Sequence, residues 1–550
     1  MRRFAALSIV LIAAATFTAQ PRAPEIDSIK QADMKADLTF LASDGMAGRL
    51  TDTPQNAIAA DWIASRFERL GLKPVGDDGN YYQKYNLVVA SLGPENAMTV
   101  GPGVKHAGPK VGVDFSPQRF SASGTAKGDV VFAGYGISSP ERGYDDYGGG
   151  VMGKIVIAID HEPGEVDPNS MFDGVVTSQP SGALNKALAA QGKGAVAILF
   201  VSDVHNHQPA GDGTRLAGNL WPEQEPRIRP FQLASWVERV RIPAAQISPA
   251  LAEALLAGTG RTLMDLAKAS DTPAGSKPIA STGADVQITT SVERRIIPDR
   301  NVVALIEGSD PTLKDEVVIV CAHYDHDGVN GTSVLNGADD DGSGTVGVME
   351  IAEAYALAAQ KGQRPKRSVL FAAWNSEERG LLGAWAYTET PLFPLAKTVA
   401  VLNMDMIGRN EEVPEGGGGR FRGLDVQTAE SNNNAVNIIG TTRSASLKEV
   451  IERANDTIGL TLRLRYDNNI SQLMRRSDHW PFLNTGVPAA WVHTGLHPDY
   501  HTPNDDADRI NYLKMEKIAR MVYLGSWDLA SAASRPARVS PLQSRRLPIR

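Results

Sequence analysis

Three apolar runs in this chain end in clusters of carboxylates and histidines, and that pairing restricts the fold more than any other feature. Residues 317–321 read as a strand buried on both faces and run into His323, Tyr324, Asp325 and His326. Residues 369–373 run into Asn375, Ser376, Glu377, Glu378 and Arg379, and residues 398–402 run into Asn403, Met404 and Asp405. Asp339, Asp340 and Asp341 stand before Gly342-Ser343-Gly344 at the mouth of an apolar helical stretch, and Asp499-Tyr500-His501 follow much later. Continuous apolar strands alternating with helical stretches predict an α/β fold with a mostly parallel mixed sheet flanked by helices. Ligands of such sheets collect beyond the carboxyl ends of the strands, where these clusters fall.

Carboxylates crowded against an apolar strand repel one another and lose hydration. Two divalent cations resolve that conflict: two histidines and three carboxylates, one of them bridging, make a nitrogen and oxygen donor set suited to a pair of zinc ions. Adjacent side chains point in different directions, so one of Glu377 and Glu378 can bind metal while the other faces substrate. Each cluster alone has a plainer reading. Glu377-Glu378 would serve as a solvated helix start, and residues 339–341 as a capped turn or a weak calcium loop. Their succession at strand ends favours a metal centre.

Composition narrows the partners. The 550 residues carry 55 Lys and Arg against 63 Asp and Glu, a net charge of −8, which leaves no basic footprint for nucleic acid. The single cysteine, Cys321, rules out an internal disulfide and reads as a buried, inert thiol. Arg2 and Arg3 precede an apolar stretch ending in small residues near Ala19, the pattern of an export signal over residues 1–19 and too short for a membrane span. The chain is therefore expected to be exported, to a periplasm or beyond. Residues 25–118 show helical patterning, with Ile63, Phe67 and Leu70 on one stripe and Gly71 as a stop. Residues 119–290 change to short β-rich runs between Gly and Pro clusters, residues 291–534 alternate strand and helix, and residues 535–550 read as a frayed tail.

With the motifs Leu41-Ala-Ser-Asp-Gly-Met-Ala-Gly-Arg49, Phe132-Ala-Gly-Tyr-Gly136, Arg476-Ser-Asp-His-Trp-Pro-Phe482 and His497-Pro-Asp-Tyr-His501 in that order, the sequence resembles the co-catalytic zinc aminopeptidases. That family also contains glutamate carboxypeptidase and the transferrin receptor, and the likeness is to its secreted bacterial form with an inserted protease-associated domain. The resemblance implies a zinc-exopeptidase fold, residues 119–290 as the insert, and two Zn(2+) per chain. His323 and Asp405 would hold one zinc and Glu378 and His501 the other. Asp340, the middle acid of its run, would bridge them, with a cis peptide to Asp341. Glu377 would be general base and acid, and Asp325 would orient His323. The implied activity is removal of N-terminal residues from peptides by a hydroxide held between the zincs. Alternatives on the same scaffold are a carboxypeptidase, a single-zinc glutaminyl cyclase and a receptor-like binding protein. The complete donor set with Glu377 speaks against the last, and the large insert against the cyclase. Beyond the ligands, His326 is expected to support the centre, His479 to shape the substrate pocket, and Tyr466 or Tyr500 to face an oxyanion. His205 and His207 read as solvated loop residues with incidental metal affinity.

Overall fold

The computed structural model describes residues 23–207, 216 and 220–539, so the expected export signal over residues 1–19 lies outside the described residues. The apolar runs form the centre of a ten-stranded mixed sheet. Ser368–Trp374, Val317–His323, Thr398–Met404 and Ala489–His493 lie side by side and parallel, and every residue in them is buried. The flanks turn antiparallel, with Val292–Ile306 and Tyr82–Leu92 beyond one side and Ala435–Ile439 beyond the other.

Helices cover both faces. Gln31–Leu41, Pro54–Arg69, Gly344–Gln360 and Tyr512–Ser531 pack on one, and Leu382–Glu389 and His479–Asn484 on the other. The helix Pro54–Arg69 shows how locally these elements are encoded. Thr53 caps it by accepting from Asn56 N, Pro54 fits its first turn, and Ile63 and Phe67 bury the expected stripe. Gly71 then turns the chain away at φ +72°.

Val292–Ile306 pairs along its length with Tyr82–Leu92, forming a ribbon that leads into a seven-stranded sheet with apolar clusters of its own. In that sheet Gly124–Phe132, Ile155–Ile159, Ala197–Val201 and Ala244–Ile247 are parallel neighbours. The expected boundary at residue 119 is displaced. Ala97–Val100 and Phe115–Pro117 already belong to the second sheet, short strands hidden among glycines. Phe231–Leu233, inside the expected insert, instead extends the edge of the first sheet beside Tyr82–Leu92. Residues 535–539, expected to begin a frayed tail, are docked on the fold. Arg535 and Arg538 donate to the carbonyls of Ala396, Leu395 and Thr485, and Val539 is buried. Residues 540–550 lie outside the described residues. Among the described residues no helix is long and apolar enough to cross a membrane.

Arg49 ties the helical layer to the strand ends. Its buried guanidinium donates to the carbonyls of Tyr324 (2.9 Å), Leu41 (2.9 Å), Asn336 (2.6 Å) and Gly337 (2.9 Å). Gly48 beside it lies at φ +66°, where a Cβ would stand 2.3 Å from the Leu335 carbonyl, so only glycine permits the approach. Arg49→Met should strand these carbonyls and lower stability by at least about 3 kcal/mol, read as an earlier urea midpoint. Arg49→Lys should recover only part, because an ammonium cannot fork to all four acceptors.

Candidate metal centre

Parallel order brings three strand ends to one edge, and with them His323, the Glu377–Glu378 pair and Asp405. Asp340 stands at the middle of the cluster. Its Oδ1 lies 3.3 Å from His323 Nε2 and its Oδ2 lies 3.0 Å from His501 Nε2. On one side, Asp405 Oδ2 is 3.9 Å from His323 Nε2; on the other, Glu378 Oε2 is 3.4 Å from His501 Nε2. All five side chains therefore meet, in two triads that share Asp340. Glu377 Oε2 lies 3.7 Å from His323 Nε2 and faces the same space. His323 Nε2 and His501 Nε2 are buried without any hydrogen bond, although carboxylates surround both. Imidazole and carboxylate lone pairs converge here, which is the arrangement divalent cations fit.

Asp341 is close enough to His323 and Asp405 to be a rival ligand. Its oxygens are occupied, however. Oδ1 accepts from Gly344 N (2.9 Å) and Met406 N (3.1 Å), and Oδ2 from His323 N (3.1 Å). It braces the three loops, while Asp340, joined to it by a cis peptide, turns into the centre. Burial opposes charge on all these carboxyls. For Asp340 the facing His323 and His501 outweigh that cost and hold it well below the usual range. Asp405 is pushed up to about 7 by burial, against the pull of His323. Burial likewise raises Glu377, opposed by His323 and reinforced by Asp405 and Asp478.

The second ring of contacts was only partly expected. Asp325 does lie by His323, but His323 Nδ1 donates to its backbone carbonyl (3.2 Å), and its carboxylate is 3.6 Å away. That carboxylate instead accepts from Glu377 N (3.0 Å) and Glu378 N (3.3 Å), so Asp325 orients the glutamate pair as well as the histidine. His326 supports Glu378, with Nδ1 2.8 Å from Oε1, and packs edge-on against His501. Sequence reasoning missed three partners. Asp327 pairs with His501 Nδ1 at 2.9 Å and with Arg379 at 2.6 Å. Asp505 accepts from Asp339 N and Asp340 N at 3.1 Å. Ser477 donates to Asp405 Oδ2 and itself accepts from Asn403 Nδ2. The only available signal was the carboxylate-rich surroundings of each ligand.

A cavity of about 240 Å³ opens onto Asp340, Glu377, Glu378 and Asp405, and Leu381, Met406, Leu473, Trp491 and Leu496 give it an apolar wall. Tyr500 and Arg476 also line it, with Arg476 Nη2 donating to Tyr500 Oη at 3.0 Å. Tyr466 does not reach it. Its hydroxyl donates to buried Glu411 at 2.6 Å, which removes it as an oxyanion group. His479 is also displaced from its expected place. It lies behind Trp491, wholly buried, with its pKa lowered to about 3 by desolvation, and acts on the pocket only through that ring. Cys321 is buried under Asn403, its thiol pushed up by burial, as an inert thiol should be.

Asp327 generates a test of this arrangement. Asp327→Asn should loosen His501 and weaken zinc binding there by about 10–100-fold. Competition with a chromophoric zinc chelator measures the change.

Comparison with known proteins agrees with the geometry. Residues 301–524 match the model of peptidase family M28. A probable glutamate carboxypeptidase of Arabidopsis thaliana is 27% identical over 407 residues, which is 71% of this chain and 51% of that protein. One from Zea mays is 24% identical over 495 residues, 86% of this chain and 62% of that protein. This chain thus spans half to three-fifths of the length of these relatives. Among solved structures, an aminopeptidase from Aneurinibacillus sp. strain AM-1 superimposes with a TM-score of 0.48 at 18% identity, over 94% of this chain and 96% of that one. All five converging side chains lie within residues 301–524, the stretch that matches the model of peptidase family M28.

Proposed function

We propose that this protein is a zinc-dependent exopeptidase that removes N-terminal residues from peptides, and that His323, Asp340, Glu378, Asp405 and His501 would hold two zinc ions. The observation that carries this reading is the pair of triads, His323–Asp340–Asp405 and Glu378–Asp340–His501, with Glu377 beside them and outside both. Bound zinc would supply Lewis acidity and acidify a water held between the triads. Glu377 takes the proton of the attacking water at its carboxylate and returns it to the departing amine. A carboxyl raised by burial is suited to hold a proton between those two steps. Tyr500 Oη, fixed by Arg476, offers a hydrogen bond to the oxygen of the carbonyl under attack. The apolar wall of Leu381, Met406, Leu473 and Trp491 takes the first side chain, and the surrounding carboxylates attract a free amine.

In this proposal the unit around the second sheet is the protease-associated insert and forms one side of the cleft. Thr177 N donates to Gln472 Oε1 at 2.8 Å, and Gln472 Nε2 donates to the Val175 carbonyl at 2.6 Å, beside the cavity-lining Leu473, Arg475 and Arg476. The export pattern over residues 1–19 places the reaction outside the cytoplasm, with N-terminal sequencing of the mature protein as its check. A second reading, a carboxypeptidase, is favoured by one feature: Arg475 and Arg476 both reach the cavity, where a substrate carboxylate would find them.

Glu377 and Glu378 should fail differently. Glu377→Gln should keep its zinc and lose about 10²–10⁴-fold in turnover, because only proton transfer is removed. Glu378→Gln should lose one zinc; equal metal loss in both variants would reverse the assignment. A short peptide supplied free, N-acetylated and C-amidated separates the two exopeptidase readings. Cleavage should survive amidation and fall by roughly 10⁴-fold on acetylation, since the buried carboxylates would lose their amine partner. The opposite pattern would make the enzyme a carboxypeptidase.

A further inference from the structure

Two loops of the second sheet carry histidines that the peptidase chemistry does not use. They follow neighbouring parallel strands, Ile155–Ile159 and Ala197–Val201, and so emerge side by side. His161 and Glu165 lie on the first loop and His207 on the second. His207 is not simply solvated, as its sequence context suggests. Its Nε2 lies against Glu165 Oε1, while His161 Nδ1 is 3.0 Å from Glu165 Oε2. The two imidazoles stack with centroids 4.1 Å apart and planes at 28°. One donor atom from each residue lies within 4.8 Å of the others.

The loops hold this arrangement without help from the imidazoles. Asp271 accepts from Gly164 N at 2.7 Å on the first loop and from Asn206 Nδ2 at 3.3 Å on the second. Asp203 accepts from His205 N at 2.8 Å, and Lys186 Nζ donates to the His161 carbonyl at 2.6 Å. A site whose donors are positioned beforehand pays little ordering entropy on binding. Two stacked imidazoles repel if both are protonated. One cation shared by both rings and the carboxylate removes that repulsion and replaces the protons that would otherwise link them. Asp203 and Asp271, which hold the two loops, add negative charge that offsets the Lys186 ammonium at the His161 carbonyl. His161 and His207 are 42% and 47% exposed, so the cluster opens to water, which can complete a coordination shell.

We propose that His161, Glu165 and His207 bind a divalent cation of the zinc type, at a site separate from the peptidase centre. Two imidazoles and a carboxylate with an open fourth position suit zinc better than calcium or magnesium. A cation there clamps the start of a segment whose far end, at Thr177, meets Gln472 beside the cleft.

The test uses the full chain, stripped with a chelator and dialysed against micromolar zinc, with bound metal counted by mass spectrometry. The proteins compared are wild type, the double variant His161→Asn/His207→Gln, Glu165→Gln, and Asp340→Asn. The double variant should bind one zinc fewer than wild type, and Glu165→Gln should bind at this site at least about tenfold more weakly. Asp340→Asn should keep this ion, visible as a cobalt(II) absorption band lost when His161→Asn and His207→Gln are added. Because that band is read with the peptidase centre impaired, failure here is distinct from failure of the peptidase reading. Uptake equal to wild type in the double variant, or occupancy that needs millimolar zinc (an adventitious ion only), would overturn the proposal. His161, Glu165 and His207 are partly exposed, so circular dichroism of the metal-free double variant and of Glu165→Gln should match wild type. A metal-free double variant that is misfolded is replaced by Glu165→Gln alone, for which unchanged affinity overturns the site.

Discussion

Carboxylates cannot be gathered away from water without positive charge to meet them, and the catalytic half of this molecule is arranged around that constraint. Asp325, Asp340, Asp341, Asp405 and Asp478 are all buried within one neighbourhood. Burial pushes Asp341, Asp405, Glu377 and Asp478 towards the neutral form, while Asp340, gripped by two histidines, stays charged. Breaking such a network typically costs about 3–5 kcal/mol, far more than a surface pair is worth. The cluster therefore persists for its chemistry, and bound cations complement its charge.

The same constraint explains the division of labour among neighbouring acids. Asp340 points into the centre and offers its oxygens to a cation, whereas Asp341 points away with its oxygens taken by backbone N–H groups. Asp325 and Asp505 do for the glutamate loop and the aspartate loop what Asp341 does for the strand ends. Backbone held this way does not relax when substrate enters, which preorganised electrostatic catalysis requires.

The convergence of His323, Glu378 and Asp405 was legible in the sequence because a buried strand announces itself by an unbroken apolar run, and the first polar residues after it have one place to go. Residues 317–321 followed by His323, and residues 398–402 followed by Asp405, are read in that way. Asp505 was not legible, since it braces Asp339 from 166 positions away and no local pattern reports so distant a contact. Asp327 was hidden for the opposite reason, among so many acids near His323 that none stood out. The early start of the second sheet was missed because Phe115–Pro117 is three residues long and acquires its register only from Ala244–Ile247 across the sheet. Tyr466 was misjudged because the sequence does not show that Glu411 lies at its hydroxyl.

The central claim is that Asp340 stands between two cations. Anomalous scattering at the zinc edge from crystals of the zinc-loaded protein tests it most directly. The account predicts two peaks in the cleft, each about 2.0–2.2 Å from a different Asp340 oxygen, one also meeting His323 and Asp405 and the other Glu378 and His501. A single peak there, or a pair held by Asp341 with Asp340 unliganded, would contradict it.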